Sequence, residues 1–205
     1  MRTATRLLSL AVILAATASC GDAIRQGRSP AVLVINSLQG ASGGGHAANT
    51  FGGTLFSDVQ VLLTSPDPCT AAAPCPTVYA DNGQASLSLA MKDTTVTPTT
   101  NNQVTITRYT VTFSRTDGRN TPGVDVPYPF DGAVTMTVAP NATATLGFEL
   151  VRQIAKQEAP LVQLIVNPSI ITTIATVTFY GQDLVGNAIQ VTGSLVVEFG
   201  NFGDS

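Results

Sequence analysis

The chain holds a single histidine, His46, in the stretch GASGGGHAANTFGG. Imidazole is the usual general base for a serine nucleophile, so His46, a serine such as Ser42 or Ser57, and Asp58 could in principle assemble a catalytic trio. No G-x-S-x-G stretch is present to expose a serine on a strained turn. The same glycine-rich segment lacks the G-K-[ST] ending of a phosphate-binding loop, and no helical period follows it. Solvated flexibility is the expected role of this loop. The acids are scattered, at Asp58, Asp81, Asp93, Asp117, Asp125, Asp131, Glu149 and Asp183. None lies in a D-x-[DN]-x-[DN]-G calcium loop. Two loop-end aspartates could meet around a calcium ion, or two acids could serve as a glycosidase pair, but no spacing in the sequence selects them. No catalytic residue, resident metal or cofactor is assigned from the sequence, and an enzyme is not expected.

Three cysteines are present: Cys20, Cys69 and Cys75. The last two lie in SPDPCTAAAPCPT, among Pro66, Pro68, Pro74 and Pro76. In an exported chain a leftover pair favours a disulfide. A zinc site would need two more ligands, and a redox pair is more often C-x-x-C. The disulfide would close a loop of seven residues, so its chain-entropy contribution is only about 2 kcal/mol. Among the aromatics, VPYPFDG stands apart, because Tyr128 and Phe130 alternate with prolines in an extended loop. Core packing is the first reading of these two rings, and a binding rim is the second.

Composition narrows the partners. The chain carries 10 basic and 13 acidic residues. Without Arg2 and Arg6 the balance is 8 against 13, a formal charge of −5. No basic stripe exists beyond Arg108, Arg115 and Arg119, so nucleic acid is not an expected partner. Hydrophobic residues make up 44% of the chain, too many for a disordered protein. Aromatics are only 6%, with no tryptophan, which weakens a sugar-stacking role.

The elements that must position these residues follow a period of two. In AIQVTGSLVVEFGNF, Ile189, Val191, Gly193, Leu195, Val197 and Phe199 share one parity, and Gln190, Thr192, Ser194 and Glu198 the other. Successive side chains of a strand point to opposite faces, so this strand buries its odd positions in an antiparallel sheet. Shorter alternations recur at Val59–Val61–Leu63, Leu87–Leu89–Met91, Val134–Met136–Val138 and Val177–Phe179. In QVTITRYTVTFSR the parity slips: Val104 and Ile106 are even, whereas Tyr109, Val111 and Phe113 are odd. Either a β-bulge near Thr107 or Arg108 absorbs the slip, or the strand crosses between sheets. TLGFELVRQIAKQEAPL reads as strand to about Val151, although Leu146, Leu150, Val151 and Ile154 also fit a helix face. Turn signals stand at Asn82-Gly83, Asp117-Gly118, Asp131-Gly132, Pro140-Asn141 and Gly186-Asn187. The expected fold is all-β, an antiparallel sandwich over residues 31–205.

Two resemblances extend this reading. TFYGQDLVGNAIQVTGSLVVEF, Thr178 to Phe199, resembles the last hairpin of bacterial immunoglobulin-like and fibronectin-type-III-like domains, with a D-x-x-G-N turn from Asp183 to Asn187. The likeness implies an immunoglobulin-like sandwich in which Asp183 accepts amide hydrogens across the turn. The tryptophan and inter-sheet cysteine pair of antibody domains are missing, and such folds imply no particular activity.

At the start, Arg2 and Arg6 precede an apolar run from Leu7 to Ala16, which is half the length of about 20 residues that a membrane span needs. Thr17, Ala18, Ser19 and Cys20 follow. The segment resembles the lipobox of bacterial lipoproteins, with Thr17 where the family prefers Leu, Val or Ile. It implies a signal peptide over 1–19, acylation of Cys20 and a polar tether over 20–30. An ordinary secretory signal and a retained helix are the alternatives. In a source with two membranes, Gly21 after the cysteine makes the resemblance imply outer-membrane rather than inner-membrane delivery. The expected protein is a lipid-anchored envelope module, structural or protein-interacting. A glycan or small-ligand binder is the second class and a hydrolase the third.

Overall fold

The computed structural model describes residues 27–203. The signal segment 1–19 and Cys20 lie outside the described residues. The fold is all-β. A three-stranded sheet holds β1 (Ala31–Ala41), β5 (Asp81–Met91) and β8 (Thr143–Val151) in the order β1-β5-β8. A five-stranded sheet holds β2 (Thr54–Asp58), β6 (Val104–Ser114), β7 (Phe130–Val138), β9 (Ile171–Asp183) and β10 (Ala188–Gly200) in the order β2-β10-β9-β6-β7. A small hairpin of β3 (Val61–Leu63) and β4 (Cys75–Thr77) stands apart. Every pairing in the two main sheets is antiparallel except β2 with β10, which is parallel.

The apolar parity explains the layering. Leu33, Ala85, Leu87, Leu146, Phe148 and Leu150 of the first sheet share one core with Val104, Ile106, Val111, Val177, Phe179, Leu195, Val197 and Phe199 of the second. Phe148 bridges the sheets, meeting Tyr109 and Phe179 edge-on at ring-centroid distances of 5.1 and 5.3 Å. On the outer face of the larger sheet threonines pair across strands. Thr105 meets Thr137 at 3.1 Å and Thr178 meets Thr192 at 2.9 Å, oxygen to oxygen. Such pairs stabilise a wetted sheet face by a few tenths of a kcal/mol each, ~0.2–1.

The parity slip in β6 is a bulge. Pairing to both β7 and β9 shifts between Ile106 and Arg108: Thr107 is the extra residue against β9, whereas on the other side Val134 and Thr135 of β7 stand opposite it. Val104 and Ile106 before it, and Tyr109, Val111 and Phe113 after it, all face the same core. The strand does not change sheets. The ambiguous segment 146–156 is strand to Val151, then one helical turn, α1 (Gln153–Lys156).

Two expected turns are not turns. Asn82-Gly83 lies inside β5 and Asp131-Gly132 inside β7. In both places glycine is required by a ring across the ladder, because a Cβ on Gly83 would run into Phe148 and one on Gly132 into Tyr109. Gly118, Asn141 and Gly186, by contrast, take positive φ of 82°, 59° and 86° and do turn the chain. They are the residue types that tolerate that region.

Strand directions give the sandwich two distinct ends. The entering chain at Gly27–Ala31 meets the β9–β10 turn, the end of β5 at Lys92 and the start of β10, around one cleft. The opposite end gathers the ends of β1, β2, β8 and β10, the start of β5, the glycine-rich loop, α1 and the disulfide hairpin. Among the described residues no helix is long and apolar enough to cross a membrane.

Candidate functional site

The end away from the chain entry carries the densest polar chemistry, and the groups come from four separate segments. Asp58 closes β2, Asp81 opens β5, Lys156 ends α1, and Ser42–Gly45 belongs to the glycine-rich loop. Lys156 is 1% exposed and Asp81 0%. The Lys156 ammonium nitrogen donates to Asp81 Oδ1 at 2.8 Å and to the Asp58 carbonyl at 2.8 Å. Asp81 also accepts from the Ser57 hydroxyl at Oδ2, 2.6 Å, and from the Gly43 amide at Oδ1, 3.1 Å. Burial drives both charges toward neutrality. It pushes the Asp81 carboxyl above its usual range against the pull of Lys156, Ser57 and Gly43. It pulls the Lys156 amine below its usual value against the pull of Asp81 and Asp58. Each partner's hydrogen bonds offset the cost of taking the other out of water, which is the condition under which such a pair survives inside a protein.

Asp58, 1% exposed, organises the loops above the pair. Its Oδ2 accepts from the His46 amide at 3.4 Å, and its Oδ1 from the amides of Gln60 at 3.4 Å and Phe202 at 3.3 Å. One carboxylate thus ties together the glycine-rich loop, the β2–β3 connection and the segment after β10. The loop's glycines allow this close approach. A Cβ on Gly43 would run into the Ala80 carbonyl, one on Gly44 into the Tyr79 ring and one on Gly45 into the Asp58 carboxylate. The loop is therefore packed against the buried acids over Ser42–Gly45, which corrects the expectation of flexibility for that part, whereas His46, Ala47, Asn49 and Thr50 are exposed. The glycines do supply backbone freedom, and here that freedom lets the chain pack closely.

No nucleophile–base pair forms from the expected trio. His46 lies in the loop with its ring between Phe202, stacked at 5.5 Å, and Phe56, edge-on at 5.3 Å. The Ser42 hydroxyl donates to the Gly44 carbonyl at 2.6 Å, and the Ser57 hydroxyl is engaged by Asp81. Of the scattered acids, the structure brings Asp58 and Asp81 together with Lys156 beside both, and all three are buried. Among the described residues no group of three or more His, Cys, Asp or Glu is placed to hold a metal ion.

No family model, curated protein or solved structure matches this chain.

The remaining expected site residues have definite places. Cys69 and Cys75 are joined, with Cα atoms 5.3 Å apart, and Cys75 pairs with Leu63 in the β3–β4 hairpin. Tyr128 is half exposed over Gly123. Phe130 turns inward, edge-on to Tyr109 at 6.2 Å and covered by the Arg152 guanidinium at 4.7 Å. The two rings thus have separate partners. A different set of aromatics is grouped at the loop end: His46, Phe56 and Phe202, beside a shallow hollow lined by Leu62, Thr64, Pro74 and Phe202. Phe56 sits in β2 next to the core residues Leu55 and Ser57, and Phe202 follows β10. Neither was singled out from the sequence, because only the parallel β2–β10 pairing brings them to one place.

At the chain-entry end an open cleft of about 390 Å³ lies between the sheets. Lys92 donates to the Gly27 carbonyl at 2.7 Å on one side. On the other, Arg108 stacks 4.1 Å from the Tyr180 ring centre and pairs with Asp131 at 3.1 Å. Its cations are already engaged, so its walls brace the entering chain. The neighbouring β9–β10 turn matches its expectation. Asp183 accepts from the Val185 amide at 3.1 Å, the Asn187 amide at 2.8 Å and the Asn187 side chain at 2.9 Å. Burial alone would raise this carboxyl, but the hydrogen bonds from Asn187, Ser29 and Val185 prevail and hold it below its usual value.

Proposed function

We propose that this chain is a lipid-anchored β-sandwich module of a bacterial cell envelope, structural or protein-interacting, with no catalytic activity of its own. The observation that carries the reading is the Arg2/Arg6-flanked apolar run that stops at Cys20, a few residues before β1 opens at Ala31. Acylation there would hold the sandwich close to a membrane, since the ten residues Gly21–Pro30 reach at most about 35 Å. More than one acyl chain makes such an anchor stable, at about 0.8 kcal/mol per buried methylene. The strand order supports the immunoglobulin-like part of the reading. β1 joins the smaller sheet and β2, the next strand, joins the larger one alongside the last strand, so the first edge of the sandwich is divided between both sheets.

In this orientation the cleft end faces the membrane, and the loop end, with His46, Phe56 and Phe202, faces outward. That aromatic group favours a second reading, a glycan or small-ligand binder, because rings beside a hollow can stack on a sugar face. The deciding experiment is metabolic labelling with a fatty-acid analogue. Wild type should take up label and partition with membranes, and Cys20→Ala should do neither. Export of wild type without label would overturn the anchor. Titration of cell-wall oligosaccharides against the Phe202→Ala variant would separate the two readings, since only a binder loses affinity.

A further inference from the structure

The buried amine and carboxyl of the loop end have a chemical consequence beyond holding loops. We propose that Lys156 and Asp81 condense with each other, forming an intramolecular amide between Lys156 Nζ and Asp81 Cγ. Four features of the site point to this. The two groups are in contact at 2.8 Å, and neither reaches solvent. The Asp58 carbonyl holds the nitrogen in place from one side, at 2.8 Å. The far oxygen of the carboxyl, Oδ2, has a donor already aimed at it, the Ser57 hydroxyl at 2.6 Å. That is the place where negative charge would develop when nitrogen adds to Cγ, and a fixed donor there lowers the barrier. Burial favours the neutral amine and the neutral acid, the two forms that can react. Held reactants in a water-poor site also gain from proximity, because the step is unimolecular.

The step balances without any co-reactant. The Nζ lone pair adds to Cγ and the carbonyl electrons move to Oδ2, held by Ser57. Oδ1 carries the acid proton. It takes a second proton from the adjacent nitrogen and leaves as water, and the Oδ2 electrons return to close the amide. One N–C bond forms, one C–O bond breaks, and nothing is oxidised or reduced. The product ties the start of β5 to the end of α1, two positions 75 residues apart in sequence. It is independent of the lipid anchor and of any ligand.

Intact-mass measurement on the purified full chain, reduced to open the disulfide, tests the proposal. The expected mass is one water below that calculated for the same processed chain with Asp81 and Lys156 unjoined, and protease digestion should yield one branched peptide containing Asp81 and Lys156. Asp81→Ala and Lys156→Met should each restore the full mass. Because these variants lose a buried pair and could misfold, Ser57→Ala serves as the second arm. It keeps both reactants, and its water loss should proceed at least tenfold more slowly after refolding. A wild type at full mass with separate Asp81 and Lys156 peptides would overturn the proposal. So would a water loss that maps to Asp117-Gly118 or Asp131-Gly132, where cyclisation of the aspartate onto the backbone gives the same mass change. Condensation of Ser57→Ala at the wild-type rate would overturn the role given to Ser57 as donor to the developing charge.

Discussion

Replacing Val197 by aspartate tests the parity on which the sandwich rests. Val197 is 0% exposed, lies in β10 between β9 and β2, and belongs to the shared core. The substitution loses about 1.5–3 kcal/mol of apolar burial. It also puts a carboxyl into the core, where the nearest cross-strand polar group, the buried Thr173 hydroxyl, already donates to the Val197 carbonyl at 3.2 Å, at a cost of about 2–7 kcal/mol even after the group neutralises. The sum, about 3.5 kcal/mol at the least, is comparable with the whole stability of a domain, ~5–15 kcal/mol. Thr192, five positions earlier on the other parity, is exposed and meets only the Thr178 hydroxyl at 2.9 Å. Thr192→Asp should cost about 1 kcal/mol or less. With a urea slope of about 2 kcal/mol/M, the midpoint should fall by about 2 M or more for Val197→Asp, and by no more than about 0.5 M for Thr192→Asp. Equal shifts, or a larger one at 192, would refute the assignment of odd positions to the core.

Three further outcomes are expected. Gly83→Ala should lower the melting temperature by several degrees, since its Cβ would enter the Phe148 ring, whereas Gly147→Ala, where the nearest atom would be 3.9 Å away, should change stability by no more than about 0.5 kcal/mol. Asp183 is held below its usual value, so its contribution is complete above the unfolded value of about 3.9 and disappears as pH falls toward the folded one; Asp183→Asn should lower stability at neutral pH and flatten the loss below about pH 4, as read by acid titration of urea midpoints. The double Cys69→Ser, Cys75→Ser variant should fold with a loss of about 2 kcal/mol or less, measured by denaturation under identical conditions, and mass spectrometry of thiol-blocked wild type should find neither cysteine alkylated.

What could be read in advance follows from how local each signal is. The alternation in β10, the slip at Thr107 and the Asp183 turn each lie within a dozen residues, and each is in the structure where the pattern placed it. The strand ending at Val151 was legible for the same reason. β1 was less so, because its own register shifts between Ile35 and Ser37 and breaks the alternation. Asn82-Gly83 and Asp131-Gly132 misled because the same dipeptides serve a turn and a flat spot beneath a ring, and only the partner strand tells them apart. The loop-end cluster was illegible altogether. Asp58, Asp81 and Lys156 look like ordinary surface charges in their own neighbourhoods, and only the three-dimensional register of β2, β5 and α1 buries them together.

The parallel seat of β2 beside β10 constrains when this protein can be finished. A ribosome delivers β2 early and β10 near the end of the described chain, and the Asp58–Phe202 hydrogen bond at their junction links residues 144 positions apart. β1, β5 and β8 can gather as they emerge, but β2 has no other strand to pair with in its sheet. Through most of synthesis it is a bare edge carrying Leu55 and Phe56, the kind of segment that recruits a foreign strand. Contacts this distant in sequence also make folding slow. The last strand therefore works as a clasp, and β2 stays an open edge of its sheet until that clasp closes.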